Sequence, residues 1–232
     1  MTPSVDALLV GKLERPIFEG PKAQNLSRVG VIDIGSNSVR LVVFDGAARS
    51  PAYFYNEKVM AGLGQGLVDT GYLSPNGRIR ALDALKRFAV LGREMSTGTL
   101  IAVATAAVRE AKDGLDFEAE VLAKTGIAMT IIDGAEEARL SAQGVLLGWP
   151  DAKGIMCDIG GSSMELARIC DAAVGLRTSG PLGPFRLEKI APKDRRDHIR
   201  SILQPFQSFF KSKQERLYLV GGSWRVIAKI DM

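Results

Sequence analysis

The feature that most constrains this 232-residue chain is a repeat. The stretch VIDIGSNSVRLVVF, residues 31–44, returns as IMCDIGGSSMELARI over residues 155–169. An offset of 125 aligns Asp33 with Asp158, Gly35 with Gly160, Ser38 with Ser163 and Leu41 with Leu166. Each copy is a β-rich run that ends near an acid, a turn of small hydrogen-bonding residues, and a second β-rich run that begins at once. Such a turn exposes several backbone N–H groups around a concavity that suits phosphate oxygens, and glycine is needed where the backbone must approach the ligand. One Asp-Gly turn says little, because hairpins use such turns widely. Two at matching positions predict two similar halves facing each other, with one turn on each wall of a cleft.

The flanking pattern is α/β. Residues 29–35, 39–45 and 52–60 read as strands, the first two rich in Val and Ile and too apolar for one face to be wet. A Gly-rich loop, GLGQGLVDTGYLSPNG, ends at Ser74-Pro75, an N-cap followed by a good first helical residue. Ile79, Leu82, Leu85 and Phe88 then form a stripe that predicts a helix over 75–95. Strands over 99–104 and 127–133 and helices over 115–125 and 135–147 complete a βββαβαβα order. After Trp149-Pro150 the pattern restarts with strands over 154–158, 164–170 and 173–178. A helical region over 183–213, a strand in LYLVGG and a helix over 223–229 follow. The expected organisation is a flexible N-terminal arm over 1–28, a first half over 29–149 and a second half over 150–232.

Composition excludes several chemistries. The single histidine, His198, lies in the charged stretch PKDRRDHIRS, so neither a Ser-His-Asp triad nor a multi-histidine zinc site has material here. Cys157 and Cys170 sit in apolar runs without metal-ligand spacing and read as small core residues in a reducing compartment. No apolar run approaches the roughly 18 residues of a membrane span, and residues 1–28 lack a signal core, so the expected location is cytoplasmic, without membrane contact. A net charge of +4 does not announce nucleic acid as a partner. Between Arg186 and Arg216, however, nine Lys/Arg stand against four acids, a local positive field for a polyanion.

Within the repeat, Arg40 of the first copy is matched by Glu165 of the second. A guanidinium holds phosphate directly, whereas Asp158 and Glu165 can hold Mg2+, largely through waters. The hydroxyls of Ser36, Ser38, Ser162 and Ser163 add donors to the turns, and Asn37 sits between the first two. Arg109, in VATAAVREA, follows a buried strand, where ligand crevices lie in α/β folds. Glu136 and Glu137 open a helix just after another strand; one can simply stabilise the helix N-terminus while the other acts on water.

In order and spacing, DIGSNSVRL, VATAAVREA, DGAEEARL, DIGGSSMEL, TSGPLGPFRLEK and VGGSWRVIAK resemble the successive motifs of the exopolyphosphatase and guanosine pentaphosphate phosphohydrolase (Ppx/GppA) family. The resemblance runs from about residue 29 to residue 229. It implies two facing ribonuclease-H-like domains of the actin, sugar-kinase and heat-shock ATPase superfamily. It also implies Mg2+-dependent release of orthophosphate from polyphosphate or guanosine pentaphosphate. Glu137 corresponds to the family's general base and Arg109 to a phosphate-contacting arginine. Asp158, Glu165 and Asp33 correspond to the metal and water network. The turns at Ser36–Ser38 and Gly160–Ser163 correspond to the phosphate loops, and Gly221 and Gly222 to a glycine pair closing the far side.

Two departures stand out. Ser162 replaces the third glycine of the usual second loop, which a nest tolerates only while that residue keeps φ negative. The chain stops at Met232, where family members continue, so the expectation is an incomplete second domain and reduced activity of the chain alone. A full-length protein could pair as a homodimer, a feature of the family. A non-catalytic phosphate or alarmone sensor and an ATP-using, kinase-like member of the superfamily stay open as alternatives.

Overall fold

The computed structural model describes residues 28–46, 52–210 and 216–230; apart from Arg28, the expected N-terminal arm lies outside them. Strands β1 (Arg28–Ile34), β2 (Val39–Phe44) and β3 (Tyr53–Val59) form an antiparallel meander. Helices α1 (Leu67–Thr70) and α2 (Pro75–Glu94) lead to β4 (Thr97–Ala104). Helices α3 (Ala106–Glu110) and α4 (Gly114–Thr125) then lead to β5 (Met129–Ile131). Strands β4 and β5 join in parallel on the other side of β1, giving the order β3-β2-β1-β4-β5. After α5 (Gly134–Gly148), strands β6 (Gly154–Ile159), β7 (Met164–Cys170), β8 (Ala173–Gly180) and β9 (Arg216–Val220) form a second sheet, β8-β7-β6-β9. The second sheet therefore repeats the first four positions of the first, as the sequence repeat predicts. Between β8 and β9 lie α6 (Pro184–Leu187), α7 (Arg195–Leu203) and a 3₁₀ segment (Gln204–Phe210), and α8 (Gly222–Ile230) follows β9.

Alternation on the strands builds the first core. Ile32, Ile34, Val39, Leu41 and Val43 point to one side, where Leu85 and Phe88 of α2 and Phe117 and Val121 of α4 meet them. Ser74 caps α2 by accepting the Gly77 N–H at 3.2 Å, with Pro75 in the first turn, as expected. Ile79, however, is 60% exposed. Gly77, Ala81, Ala84, Leu85 and Phe88 define the buried face, and Ile79 stands two positions from Ala81, about 200° round the helix. Small residues set the stripe that the larger ones suggested only in part.

Helix α5 follows the first sheet in the chain but packs on the second. Its buried Ala138 and Ala142 meet Met156, Ala167 and Ile169, so packing of the second half starts ahead of the 149/150 boundary. Gly134 lets it approach closely: a Cβ there would lie 2.3 Å from Ser179 Cβ. The other face of the second sheet carries Ile155, Cys157 and Leu166 under Ile199, Ile202 and Phe206, so both faces are covered. Cys157 is a buried free thiol and Cys170 a half-buried one. The helical region expected over 183–213 is interrupted, in keeping with Pro192 and Pro205, each of which removes a backbone donor. The halves are tied by ion pairs from Arg186 to Glu110 and from Lys189 to Asp69. Both are partly exposed, and pairs of that kind contribute little to stability.

Two helical glycines should respond oppositely to alanine. A Cβ on Gly77 would fall 2.6 Å from the Gly62 carbonyl oxygen, so Gly77→Ala should cost about 1–3 kcal/mol through forced backbone displacement. Gly144 in α5 has nothing within 4 Å of such a Cβ, and Gly144→Ala should stabilise by up to about 1 kcal/mol. Urea denaturation of both variants checks the sign at each site.

Candidate active site

The two turns are built alike to the level of single hydrogen bonds. In the first, Gly35 N–H donates to Ser38 O at 3.0 Å; in the second, Gly160 N–H donates to Ser163 O at 3.0 Å. Strand register extends the match, because Asp33 pairs with Arg40 across β1–β2 as Asp158 pairs with Glu165 across β6–β7. Each turn is also strapped from behind by a Leu-Gly segment. Gly62 and Gly64 N–H donate to Asn37 O and Ser36 O, and Phe185 N–H donates to Gly161 O. Both straps approach closely: a Cβ on Gly64 would be a tight 3.0 Å from Ser36 Cβ, and one on Gly183 would clash at 2.6 Å from Gly161 O. The turns then nearly touch, since a Cβ on Gly161 would come within 3.0 Å of Ser36 Cβ.

Between the turns lies a cleft of about 750 Å³. Its acids come from four elements, with Asp33 supplied by β1. Asp158, near the end of β6, and its cross-strand partner Glu165, near the start of β7, both stand on the side facing α5. Helix α5 brings Glu137 and Ser141 to them one turn apart. Ser141 donates to Asp158 at 3.0 Å, and Ser179 donates to the fully buried Glu165 at 2.9 Å. The Glu-Glu pair divides: Glu136 turns to Arg139, while Glu137 meets Arg109 at 3.2 Å. Asp133 caps the helix by accepting the Glu136 N–H at 2.7 Å.

Burial raises all four acids above their ordinary range. Asp33 keeps accessible surface at the cleft, but the surrounding protein, and then Asp158, push it up to about 6 against the pull of Arg40 and Lys58. Glu137 is raised by burial, opposed by its hydrogen bond from Arg109. Glu165 is raised by burial and next by Glu137, and hydrogen bonds from Ser163 and Ser179 offset part of this. Asp158 is raised by burial and lowered by Ser141. Like charges so arranged invite a cation.

Most of the sequence-derived site residues meet here. Asp33, Ser36, Asn37, Ser38, Arg40, Glu137, Asp158, Gly160, Gly161, Ser163, Glu165, Gly221 and Gly222 all line the cleft. Arg109 does not: it reaches the site only through Glu137, and its Nη1 also donates to Ile132 O at 2.7 Å. Ser162 keeps φ negative, but its hydroxyl is turned into the protein, 2% exposed and without a partner, so it offers no donor to the cleft. None of the described basic residues of 186–216 lines the cleft. Arg186 is instead a brace, donating to Ser162 O at 2.8 Å and pairing with Glu110. The cleft's other cations, Lys58 and Arg225, escaped the sequence reading, as did Ser141 and Ser179. Only cross-strand register, Arg40 to Lys58 and Glu165 to Ser179, could have found Lys58 and Ser179.

Among the described residues no three His, Cys, Asp or Glu converge as a preformed metal cage. Mg2+ does not need one, because it usually keeps several waters and takes one or two carboxylates together with phosphate oxygens. Mutually repelling carboxylates beside the two turns are of the chemistry that ion takes, and Gly221 leaves room for one of them: a Cβ there would lie 2.5 Å from Asp158 Oδ1.

Similar proteins carry the same arrangement of chain. Exopolyphosphatase 1 of Mycobacterium bovis is 30% identical over 165 residues, covering 70% of this chain and 48% of its own length. Exopolyphosphatase 2 of Mycobacterium tuberculosis is 37% identical over 152 residues, covering 61% and 48%. The chain thus spans about half the length of the curated relatives it matches. The crystal structure of an exopolyphosphatase from Cytophaga hutchinsonii superposes with a TM-score of 0.81 at 28% identity, covering 88% of this chain and 70% of that one. The Aquifex aeolicus member of the Ppx/GppA family gives 0.72 at 26% identity, covering 89% and 70%. The model of the Ppx/GppA phosphatase family matches residues 28–228, and the chain belongs to that family.

Proposed function

We propose that the protein hydrolyses the terminal phosphoanhydride of inorganic polyphosphate, releasing orthophosphate and a chain one unit shorter. The observation that carries this reading is Glu137: half-buried, oriented by Arg109, and opening on a cleft walled by two matched phosphate turns. Transfer of a phosphoryl group to water needs neutralised oxygens, an aligned nucleophile and a base, and little covalent help. The Ser36–Ser38 and Gly160–Ser163 turns would hold the terminal phosphate through N–H groups and hydroxyls. Glu137 would take a proton from water as its oxygen attacks the terminal phosphorus, and the anhydride P–O bond would break with its electrons leaving on the shortened chain. Asp158 and Glu165, with Asp33, would hold Mg2+, which supplies positive charge against the phosphoryl oxygens. Arg109 would then position the base rather than grip substrate.

One observation favours a second substrate. Met60 and Val226 line the cleft with 55% and 59% of their surface exposed, an apolar contact that a nucleobase can use and a bare phosphate chain cannot. Guanosine pentaphosphate carries such a base and the same terminal anhydride. Side-by-side phosphate release from the two substrates separates them.

A general base typically contributes about 10² to 10⁴ in rate, so Glu137→Gln should cut turnover by that order while leaving substrate binding largely in place. Phosphate release at the wild-type rate from this variant would remove Glu137 from the role. Added Mg2+ should raise the melting temperature of the wild type, since binding to the folded state alone stabilises it. In Asp158→Asn that shift should vanish, and an unchanged shift would place the metal elsewhere.

A further inference from the structure

A polyanion whose end lies at Glu137 comes into the field of Asp33 and Asp158, so it needs cations beside it. The basic stretch over 186–216 cannot supply them from its described residues, which stay outside the cleft. The cleft's own described cations are Arg40, Lys58 and Arg225. Asp33, Arg40 and Lys58 form one cross-strand row, paired Asp33 to Arg40 and Arg40 to Lys58, and paired residues stand on the same face of a sheet. The row spans two strand spacings, roughly 10 Å, from the acidic floor outward. Its charge runs from negative to positive in that direction. Arg40 is held in place, its Nε donating to Asn56 Oδ1 at 2.9 Å. Neither Lys58 nor Arg225 makes a hydrogen bond or ion pair with another described residue. Lys58 comes from the first half and Arg225, on α8 just after the Gly221–Gly222 turn, from the second.

We propose that Lys58 and Arg225 receive the phosphates beyond the one being cleaved, so that a linear condensed phosphate lies outward over β2 and β3 along the Asp33–Arg40–Lys58 row. The ligand class is a chain of at least three phosphates, since the terminal unit occupies the turns and only later units reach the outer cations. The proposal rests on the hydrolase reading for which end of the chain sits at Glu137, but binding along the row is measurable without turnover. Lysine suits this place: a mobile point charge follows a chain that slides inward by one unit after each cleavage.

Calorimetric titration of the whole chain in the Glu137→Gln background, which slows turnover, with inorganic tripolyphosphate and with orthophosphate, each with Mg2+ present, tests it. Lys58→Ala and Arg225→Ala should each weaken tripolyphosphate roughly tenfold, the usual scale for losing a hydrogen bond to a charged group, and orthophosphate less than twofold. Lys58→Arg should restore most of the tripolyphosphate affinity, and Arg196→Ala, on the outlying α7, should change neither ligand. Equal losses for both ligands, no loss for either, or no tripolyphosphate binding by the Glu137→Gln parent would each overturn the proposal. Length-selective binding alongside a chain with native Glu137 that releases no phosphate would leave this path standing and remove the hydrolase reading instead.

Discussion

Two backbone turns can grip one phosphate only if nothing bulky stands between them, and that close approach governs much of this structure. Gly161 faces Ser36 with no space for a further carbon, so the turns are limited to Gly, Ser and Asn. Each turn must then be stiffened from behind, because its own residues are too small to pack. The Leu-Gly straps do this with backbone hydrogen bonds at the front and buried Leu63 and Leu182 behind. Helix α5 follows the same logic. It brings Glu137 to the cleft by lying close on the second sheet through Gly134, Ala138 and Ala142, with Val145 and Leu146 packed against the same cluster.

The charges answer to that geometry. Four carboxylates share a confined space, and each is anchored or opposed by a specific neighbour: Ser141 for Asp158, Ser179 and Ser163 for Glu165, Arg109 for Glu137, Arg40 and Lys58 for Asp33. The repeat explains why both walls carry an acid at the strand end. Its divergence at the paired position puts a cation, Arg40, on one wall and an acid, Glu165, on the other.

Much of this was legible in the chain. Runs rich in Val and Ile marked the strands, and the 125-residue offset marked the two halves because hairpin turns leave a compact local signature. The six ordered motifs brought nearly all the cleft-lining glycines, serines and acids together. What stayed hidden depends on pairing between distant segments. The straps repeat in space with a different spacing from the turns they support, so no single offset aligns both. Lys58 looks like any exposed strand lysine until register sets it beside Arg40. The described basic residues of 186–216 lie outside the cleft for the converse reason: charge density along a chain does not say where the charges point, and Arg186 and Lys189 are engaged with Glu110 and Asp69. Likewise, the chain order that put α5 with the first sheet says nothing of the face its alanines seek.

The cleft's two walls are not equally firm. The first turn stands on a core with Phe88 and Phe117 at its centre, whereas β9 and α8, which carry Gly221 and Arg225, contribute no fully buried residue and leave Leu217, Leu219, Val226, Ile227 and Ile230 about half or more exposed. Elements with so little buried surface open locally at a fraction of the global unfolding free energy. Their opening would take Gly221, Gly222 and Arg225 from the cleft while both turns stay folded on β1–β2 and β6–β7. Any ligand that bridges both walls then spends part of its binding energy on closing that edge, and its grip becomes a gauge of how completely the second sheet is held together.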